Sequence, residues 1–361
     1  MEKQTVNILQ IGLMFFGGIG ILLHVLVVPL VIDASLRDAW ISVVLSAILC
    51  LLWIPLLYSI YRKTAGQPIM EWLRKQYGKI IAYVILGLLL IYLILMSFVT
   101  IKDTITFISI YYAETPSFIF LYMFLIICLY NIYGGIKSVV YTSGILLPFV
   151  FIFGFLVMST NFQYKDYTLL QPFLENGFKP VLQGMIYPGV GFAELLFFLF
   201  FQHRLSPQVK RYHLYIIAVI LIMLTLGPTI GAITEFGPVI NSLQRYPAFE
   251  QWRIASIGKY IEHLDFLAIY QWFVGSYIRV SMMGLLMAEL LPIKTKKTKN
   301  IVILLIHLII FHAIYLPLND SLMYMMLYQH LFPIFIAILI AIFLILWVLT
   351  LISPRNKEIS S

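Results

Sequence analysis

The sequence has little charge, almost no cysteine and no polar stretch long enough to fold as a separate soluble domain. Only 11% of its 361 residues are charged, while 61% are hydrophobic, and the mean hydropathy is +0.96. A soluble chain cannot bury that much apolar surface, so a polytopic all-α membrane protein is expected. The two cysteines, Cys50 and Cys128, both lie in apolar runs, which argues against a structural disulfide or a metal site. No Walker A loop, zinc-binding HExxH or nucleophile elbow occurs, so no enzyme activity, metal or cofactor is expected. The net charge of +8 belongs to loops facing an anionic leaflet rather than to a nucleic-acid footprint. No cleavable signal peptide is expected, because the first apolar run is too long for one.

What the sequence does have is about ten apolar runs. They are read as spans over residues 8–32, 38–61, 80–112, 117–133, 139–160, 181–203, 212–235, 264–291, 300–318 and 324–351. Between the second and third, Ile69, Trp72, Leu73 and Tyr77 fall at helical spacing beside Arg74 and Lys75, as in a short interfacial helix. Residues 237–262 form the largest polar connection. After Pro247 a helical stripe of Phe249, Trp252, Ile257, Tyr260 and Ile261 is expected to cover a vestibule. With ten spans and both termini cytoplasmic, sixteen Lys and Arg fall inside and six outside, as the positive-inside rule requires.

Two spans look interrupted. The sixth carries Pro188, Gly189 and Gly191 near its centre, and the first carries Gly17, Gly18 and Gly20. Proline removes a donor and glycine weakens a helix, so breaks are expected there. Gly18 and Gly189 are 171 residues apart, close to half the chain, which points to two inverted repeats over about 8–160 and 181–351 within one membrane domain. Gly227, Pro228 and Gly231 mark a further kink in the seventh span. Broken helices in such folds expose backbone groups that bind substrate. Gly18, Ile19 and Gly20 with Tyr187, Gly189 and Gly191 are therefore the candidate ligand residues, joined by Ser97, Thr100 and Gly275 for the side-chain pocket. Such a site suits a zwitterionic amino acid.

Ionisable side chains at membrane depth are costly and face the protein interior. Glu194 and Arg279 stand out. At about 1.5 Å per residue they lie roughly 20 and 22 Å along spans that run in the same direction, so they are expected to pair and close the inner half of a pathway, with Glu194 as a protonation site or a purely structural ion pair as the alternatives. His24, just past the first glycine cluster, is a third pathway candidate. Lys102 and Asp103 are expected to be a snorkelling pair at the interface, and Glu289 an interface residue.

Several stretches carry a family resemblance. The opening run holds Gln10, Ile19–Gly20, Pro29 and Asp38–Trp40. Thr115–Pro116 precede the fourth span and Gly135–Ile136 the fifth, and LLQPFLENGFKPVLQG precedes the sixth. Residues 246–282 contribute Phe249–Glu250, Arg253, Glu262, Asp265 and the Trp272 to Arg279 stretch. In combination these resemble the B subunits of GerA-type spore germinant receptors, within the amino acid–polyamine–organocation transporter superfamily. Lys137 and Tyr141 depart from the pattern, which often has an acid and an Arg there. The resemblance implies a LeuT-like five-plus-five inverted repeat with broken first and sixth helices, located in a bacterial spore inner membrane or cell membrane. It also implies sensing of a small germinant, often an amino acid, together with an A subunit and a C lipoprotein subunit. A transporter or exchanger acting alone, or a ligand-gated ion or water channel, are the alternatives.

Overall fold

The computed structural model describes residues 5–64, 66–111, 117–206, 208–258, 261–316 and 319–352. Thr115–Pro116, Tyr112, Tyr260 and Leu318 lie outside them, as do the charges Lys3, Lys259, Arg355 and Lys357. Among the described residues the chain is helical, with isolated bridges Val6–Leu205 and Ile257–Ile261 in place of strands. Seven helical stretches are long and apolar enough to cross a membrane, the first being Ile8–Thr64, and Phe118–Gly134 is a shorter apolar helix. The expected ten divide the first stretch at Leu36 and add the shorter helix and Lys296–Ala313. That last helix is 18 residues long and opens with Lys296, Lys297 and Lys299, too charged to qualify by composition.

The first stretch is α1 (Ile8–Ile21), a π-helical turn Leu22–Leu26, α2 (Val27–Ser35), and α3 (Ala39–Thr64) after a turn with Leu36 at φ 49°. The glycines of α1 do not break it. Gly17, Gly18 and Gly20 are helical and buried, and the irregular turn follows them, ahead of Pro29. The reason is packing: a Cβ on Gly17 would sit 2.7 Å from Ile278 Cδ1, and one on Gly18 2.8 Å from Met282 Cε. These glycines admit a neighbouring helix rather than unwind their own.

α4 (Ile69–Tyr77) forms where the periodicity predicts it, but its apolar face is covered by protein rather than lipid. Ile69 and Leu73 are buried against α5 (Lys79–Tyr111). α6 (Ser117–Gly134) and α7 (Ile136–Thr160) are joined by Gly135 at φ 79°, a conformation that glycine adopts at little cost. Their polar contact is made by Asn131, whose Oδ1 accepts from Ser138 at 2.7 Å, so it involves neither Lys137 nor Tyr141.

The sixth expected span comprises α8 (Phe178–Gly184), α9 (Ile186–Ala193), a 3-10 turn Glu194–Leu196 and α10 (Phe197–Phe201). Here too the expected break is displaced. Pro188, Gly189 and Gly191 lie within α9, and the irregular points are Met185 before it and Glu194–Leu196 after it. Pro188 falls in the first turn of α9, where a missing donor is tolerated. Gly184 lets α8 approach the Ser35–Ser42 pair, whose hydroxyls donate to the carbonyls of Pro180 and Val181 at 2.9 and 3.0 Å.

α11 (Arg211–Phe236) runs unbroken through Gly227, Pro228 and Gly231. Pro228 has no N–H for the Leu224 carbonyl one turn back. His24, in the π turn, supplies the donor, with Nδ1 3.1 Å from that oxygen.

After α12 (Pro238–Ser242), α13 (Pro247–Arg253) is shorter than the stripe implied. Ile257 and Ile261 bridge to each other and are exposed. α13 buries Phe249 and Trp252 in an aromatic cluster with Phe107 of α5 and Trp272 of α14 (Phe266–Leu290). Phe107 and Trp272 stack at 4.0 Å and 6°. Trp252 Nε1 donates to Gln271 at 3.0 Å, and Gln251 Nε2 donates to the Pro228 carbonyl at 3.0 Å. α15 (Lys296–Ala313), α16 (Asp320–Met326), a π turn Leu327–Leu331 and α17 (Phe332–Ile352) complete the fold.

α12 and α13 form a cap held by these large aromatic side chains, so Trp272→Ala is expected to cost about 3–5 kcal/mol of stability. This would register as a clear fall in the melting temperature of the detergent-solubilised chain. An unchanged melting temperature would show that the stacked pair does not support the cap.

Candidate functional site

Arg279 lies near the middle of α14 and is fully buried. A guanidinium at that depth survives only with a full set of acceptors. Glu194, also fully buried, meets it in a bidentate pair, with Nη2–Oε1 at 2.6 Å and Nη1–Oε2 at 2.8 Å. Nη1 also donates to the Gly18 carbonyl at 2.7 Å, and Nε donates to Thr100 Oγ1 at 3.1 Å. The Tyr92 hydroxyl donates to Glu194 Oε1 at 2.6 Å. Five residues from four parts of the chain thus form one closed network.

Local structure places each of them. Glu194 begins the 3-10 turn that interrupts the sixth expected span. The Leu22 amide at the end of α1 bonds the Ile19 carbonyl, and the Gly18 carbonyl accepts from Arg279. Thr100 belongs to an antiparallel seam between α5 and α14. Ser97 Oγ contacts Met283 Sδ at 3.5 Å, Thr100 meets Arg279, Thr104 Oγ1 bonds Ser276 Oγ at 2.8 Å, and Phe107 stacks on Trp272. The steps 97, 100, 104, 107 alternate three and four residues, the spacing of an a/d helix seam.

The structure therefore joins four of the residues chosen from sequence, Gly18, Thr100, Glu194 and Arg279. It adds Tyr92, which nothing distinguishes within its apolar run. The other candidates stand apart from this network. Ile19 is buried in the core. A Cβ on Gly20 would lie 3.3 Å from Leu224, one on Gly189 3.2 Å from Ile336, one on Gly191 2.4 Å from Leu23, and one on Gly275 2.7 Å from Ile21. These are helix-packing positions. Ser97 Oγ donates to the Leu93 carbonyl at 2.7 Å, and Tyr187 faces Tyr328. His24 is engaged with Leu224, while His307 and His312 bond carbonyls of their own helix. Two surface clefts, one along Met158, Phe162 and Tyr167 and one along Phe124, Leu146 and Tyr277, include none of the candidates.

Polar contacts close the molecule on both sides of this network. Toward the Leu36 end, Asp103 does not pair with Lys102. It is buried and accepts from Arg245 Nη2 at 2.8 Å, while Arg245 Nε reaches Asp320 at 3.0 Å and Lys102 donates to the Ile314 carbonyl at 3.1 Å. Adjacent residues on a helix diverge by about 100°, so Lys102 and Asp103 face different neighbours. Burial works against the charge on Arg245, but Asp103, Tyr246 and Asp320 outweigh it and hold the guanidinium above its ordinary pKa. Toward the Thr64 end, Glu289 is not merely an interface residue. It takes two bonds from Arg204 Nη2, at 2.8 and 2.9 Å, beside His203 at 3.4 Å.

The family model described as "Spore germination protein" matches residues 4–322. The chain belongs to the spore germination protein family. It is 45% identical over 319 residues to Spore germination protein XB of Bacillus anthracis, covering 88% of this chain and 90% of that protein. It is also 24% identical over 289 residues to Spore germination protein A2 of Bacillus subtilis (strain 168), covering 76% and 77%. The membership and the apolar helices together make it a multi-pass membrane protein of the germinant-receptor B-type subunits. In this family member the Glu194–Arg279 pair is the most deeply buried ionic contact among the described residues.

Removing one partner strands the other charge. Glu194→Met or Arg279→Met alone is expected to cost about 3–5 kcal/mol, whereas the double substitution Glu194→Met with Arg279→Met should be far milder than the sum. Thermal stability of the four proteins in detergent checks this. Additive losses would show that the two side chains are not energetically coupled.

Proposed function

We propose that this chain is the germinant-sensing membrane subunit of a spore germination receptor. It binds a small nutrient such as an amino acid at a central, transporter-like site and signals to an A subunit and a C lipoprotein subunit. The site lies around the Glu194–Arg279 pair, which Gly18 and Thr100 touch; Ile19 and Gly20 of α1, Gly189 and Gly191 of α9, and Ser97 and Gly275, packed between helices in this structure, line it when those helices part. His24 and the ion pair act in gating.

One observation carries this reading. A buried charged network ties α1, α5, α14 and the 3-10 turn at Glu194 to one another. Such a network has few alternative arrangements, so a ligand that competes for its bonds shifts the relative positions of the helices that hold it. A zwitterion brings the matching chemistry, with a carboxylate for Arg279 and an ammonium for Glu194 or the Gly18 carbonyl. The reading includes ten spans in a LeuT-like five-plus-five arrangement, repeats over about 8–160 and 181–351, cytoplasmic termini and a place in the spore inner membrane. It is supported by the irregular turns at Leu22–Leu26 and Glu194–Leu196, which begin 14 residues after the start of α1 and 16 after the start of α8.

Reconstitution of the purified chain in liposomes with labelled amino acids tests the proposal. Saturable binding without uptake is expected. Gly191→Leu should weaken that binding at least tenfold, because its side chain must displace Leu23. Saturable uptake by the chain alone would replace the sensor reading with a transporter.

A further inference from the structure

A second cluster lies at the Leu36 end, between α2, α9, α16 and the π turn Leu327–Leu331. The Tyr324 hydroxyl donates to the Pro29 carbonyl at 3.3 Å, which fixes its ring against α2 one turn from Asp33. Tyr328 stands one turn beyond Tyr324, and its ring stacks on Tyr187 at 5.4 Å and 19°. The Tyr187 hydroxyl donates to the Tyr328 carbonyl at 3.3 Å. In the π register that carbonyl would look to residue 333, which is a proline without an N–H, so the phenol takes the vacant acceptor. The three tyrosines are thereby held in place by bonds that leave Tyr324 and Tyr328 half-buried.

Asp33 completes the cluster. It is exposed, and among the described residues it makes no ion pair or hydrogen bond. In α2 the Pro29 carbonyl faces the amide of Asp33 four residues on, so the Tyr324 hydroxyl bonded to that carbonyl lies beside Asp33, whose charge also bears on Tyr187 and Tyr328. The cations around it are already committed. Arg245, 5.3 Å from the Tyr324 ring centroid, is shared by Asp103 and Asp320, and Lys102 is held by the Ile314 carbonyl. Counting Asp33, Asp103 and Asp320 against Arg245 and Lys102 leaves one negative charge in excess, and Asp33 is the carboxylate without a partner.

We propose that Asp33, Tyr324 and Tyr328, supported by Tyr187, form a binding site for an organic ammonium group. A hard metal ion requires several oxygen ligands in a closed shell, whereas one carboxylate beside aromatic rings suits a cation that is attracted to ring faces and keeps an apolar surface. The site is separate from the Glu194–Arg279 network, and its existence does not depend on the nutrient-sensing role proposed above.

The test uses the full chain in nanodiscs and saturation-transfer NMR titration with methylammonium, tetramethylammonium and the neutral tert-butanol. Saturable binding of the two ammonium probes in the millimolar range is expected. Asp33→Asn should weaken it at least fivefold and Tyr328→Leu at least threefold, while Asp166→Asn, which removes an exposed carboxylate from the loop before α8, should leave it unchanged. Asp33 has no structural partner to lose, so its variant should keep the wild-type elution profile and melting temperature. The proposal is overturned by absence of saturable ammonium binding, by equal affinity in Asp33→Asn, by equal binding of tert-butanol, or by equally effective displacement with potassium chloride. Loss of amino acid binding in Gly191→Leu with ammonium binding intact would separate the two sites.

Discussion

A guanidinium buried at the centre of an apolar bundle constrains everything packed around it. Arg279 carries five N–H donors, and so deep in the bundle they depend on oxygens of the protein itself. The Glu194 carboxylate, the Thr100 hydroxyl and the Gly18 carbonyl take four bonds from them, and Tyr92 donates to the carboxylate in turn. Each acceptor belongs to a different part of the chain, so the requirement of one side chain fixes how α1, α5 and α14 sit against the turn at Glu194. The α5–α14 seam extends this order lengthwise, from Ser97–Met283 to Phe107–Trp272.

Prolines set a second constraint, and the chain answers Pro228 and Pro333 by a long-range bond rather than by a break. Pro228 leaves the Leu224 carbonyl without a helical donor, and His24 of the first stretch provides one. Pro333 leaves the Tyr328 carbonyl unmatched in its π turn, and Tyr187 provides another. Both donors come from the two stretches whose glycines suggest interruption, so features that look unrelated in sequence are joined in space. The glycines have a different part in the same economy of space. They bring helix axes close enough for these bonds to form, as Gly184 does at the Ser35–Ser42 pair.

The network is enclosed on both sides. The aromatic cluster and the Asp103–Arg245–Asp320 contacts cover it toward one end, and the Arg204–Glu289 pair covers it toward the other. A sensing role as proposed requires at least one of these closures to have a second arrangement. The cap near Arg245 has the composition for that, since its polar bonds are shared among three charged side chains from three separate segments. Arg245 can move between Asp103 and Asp320 without losing its own pairing, and the cost of the exchange falls on the carboxylate it leaves.

Composition and periodicity by themselves determined that the chain is an all-helical membrane protein, where most of its helices run, and that Glu194 and Arg279 are the charges to explain. Those conclusions rest on local quantities, namely transfer free energy along a window and the rarity of charge within it. The order of motifs carried the family resemblance in the same way. Only the tertiary structure decided which backbone oxygen meets Arg279, that Tyr92 rather than a neighbouring aromatic completes the pair, and that Asp103 belongs to Arg245 rather than to the adjacent Lys102. It also decided that the Pro188–Gly191 segment stays helical while the chain distorts at Glu194. The physical reason is the same in each case. A proline or glycine states what a helix lacks, but the partner that makes up the lack is brought by packing from a hundred or more residues away. A single sequence carries no local record of that pairing.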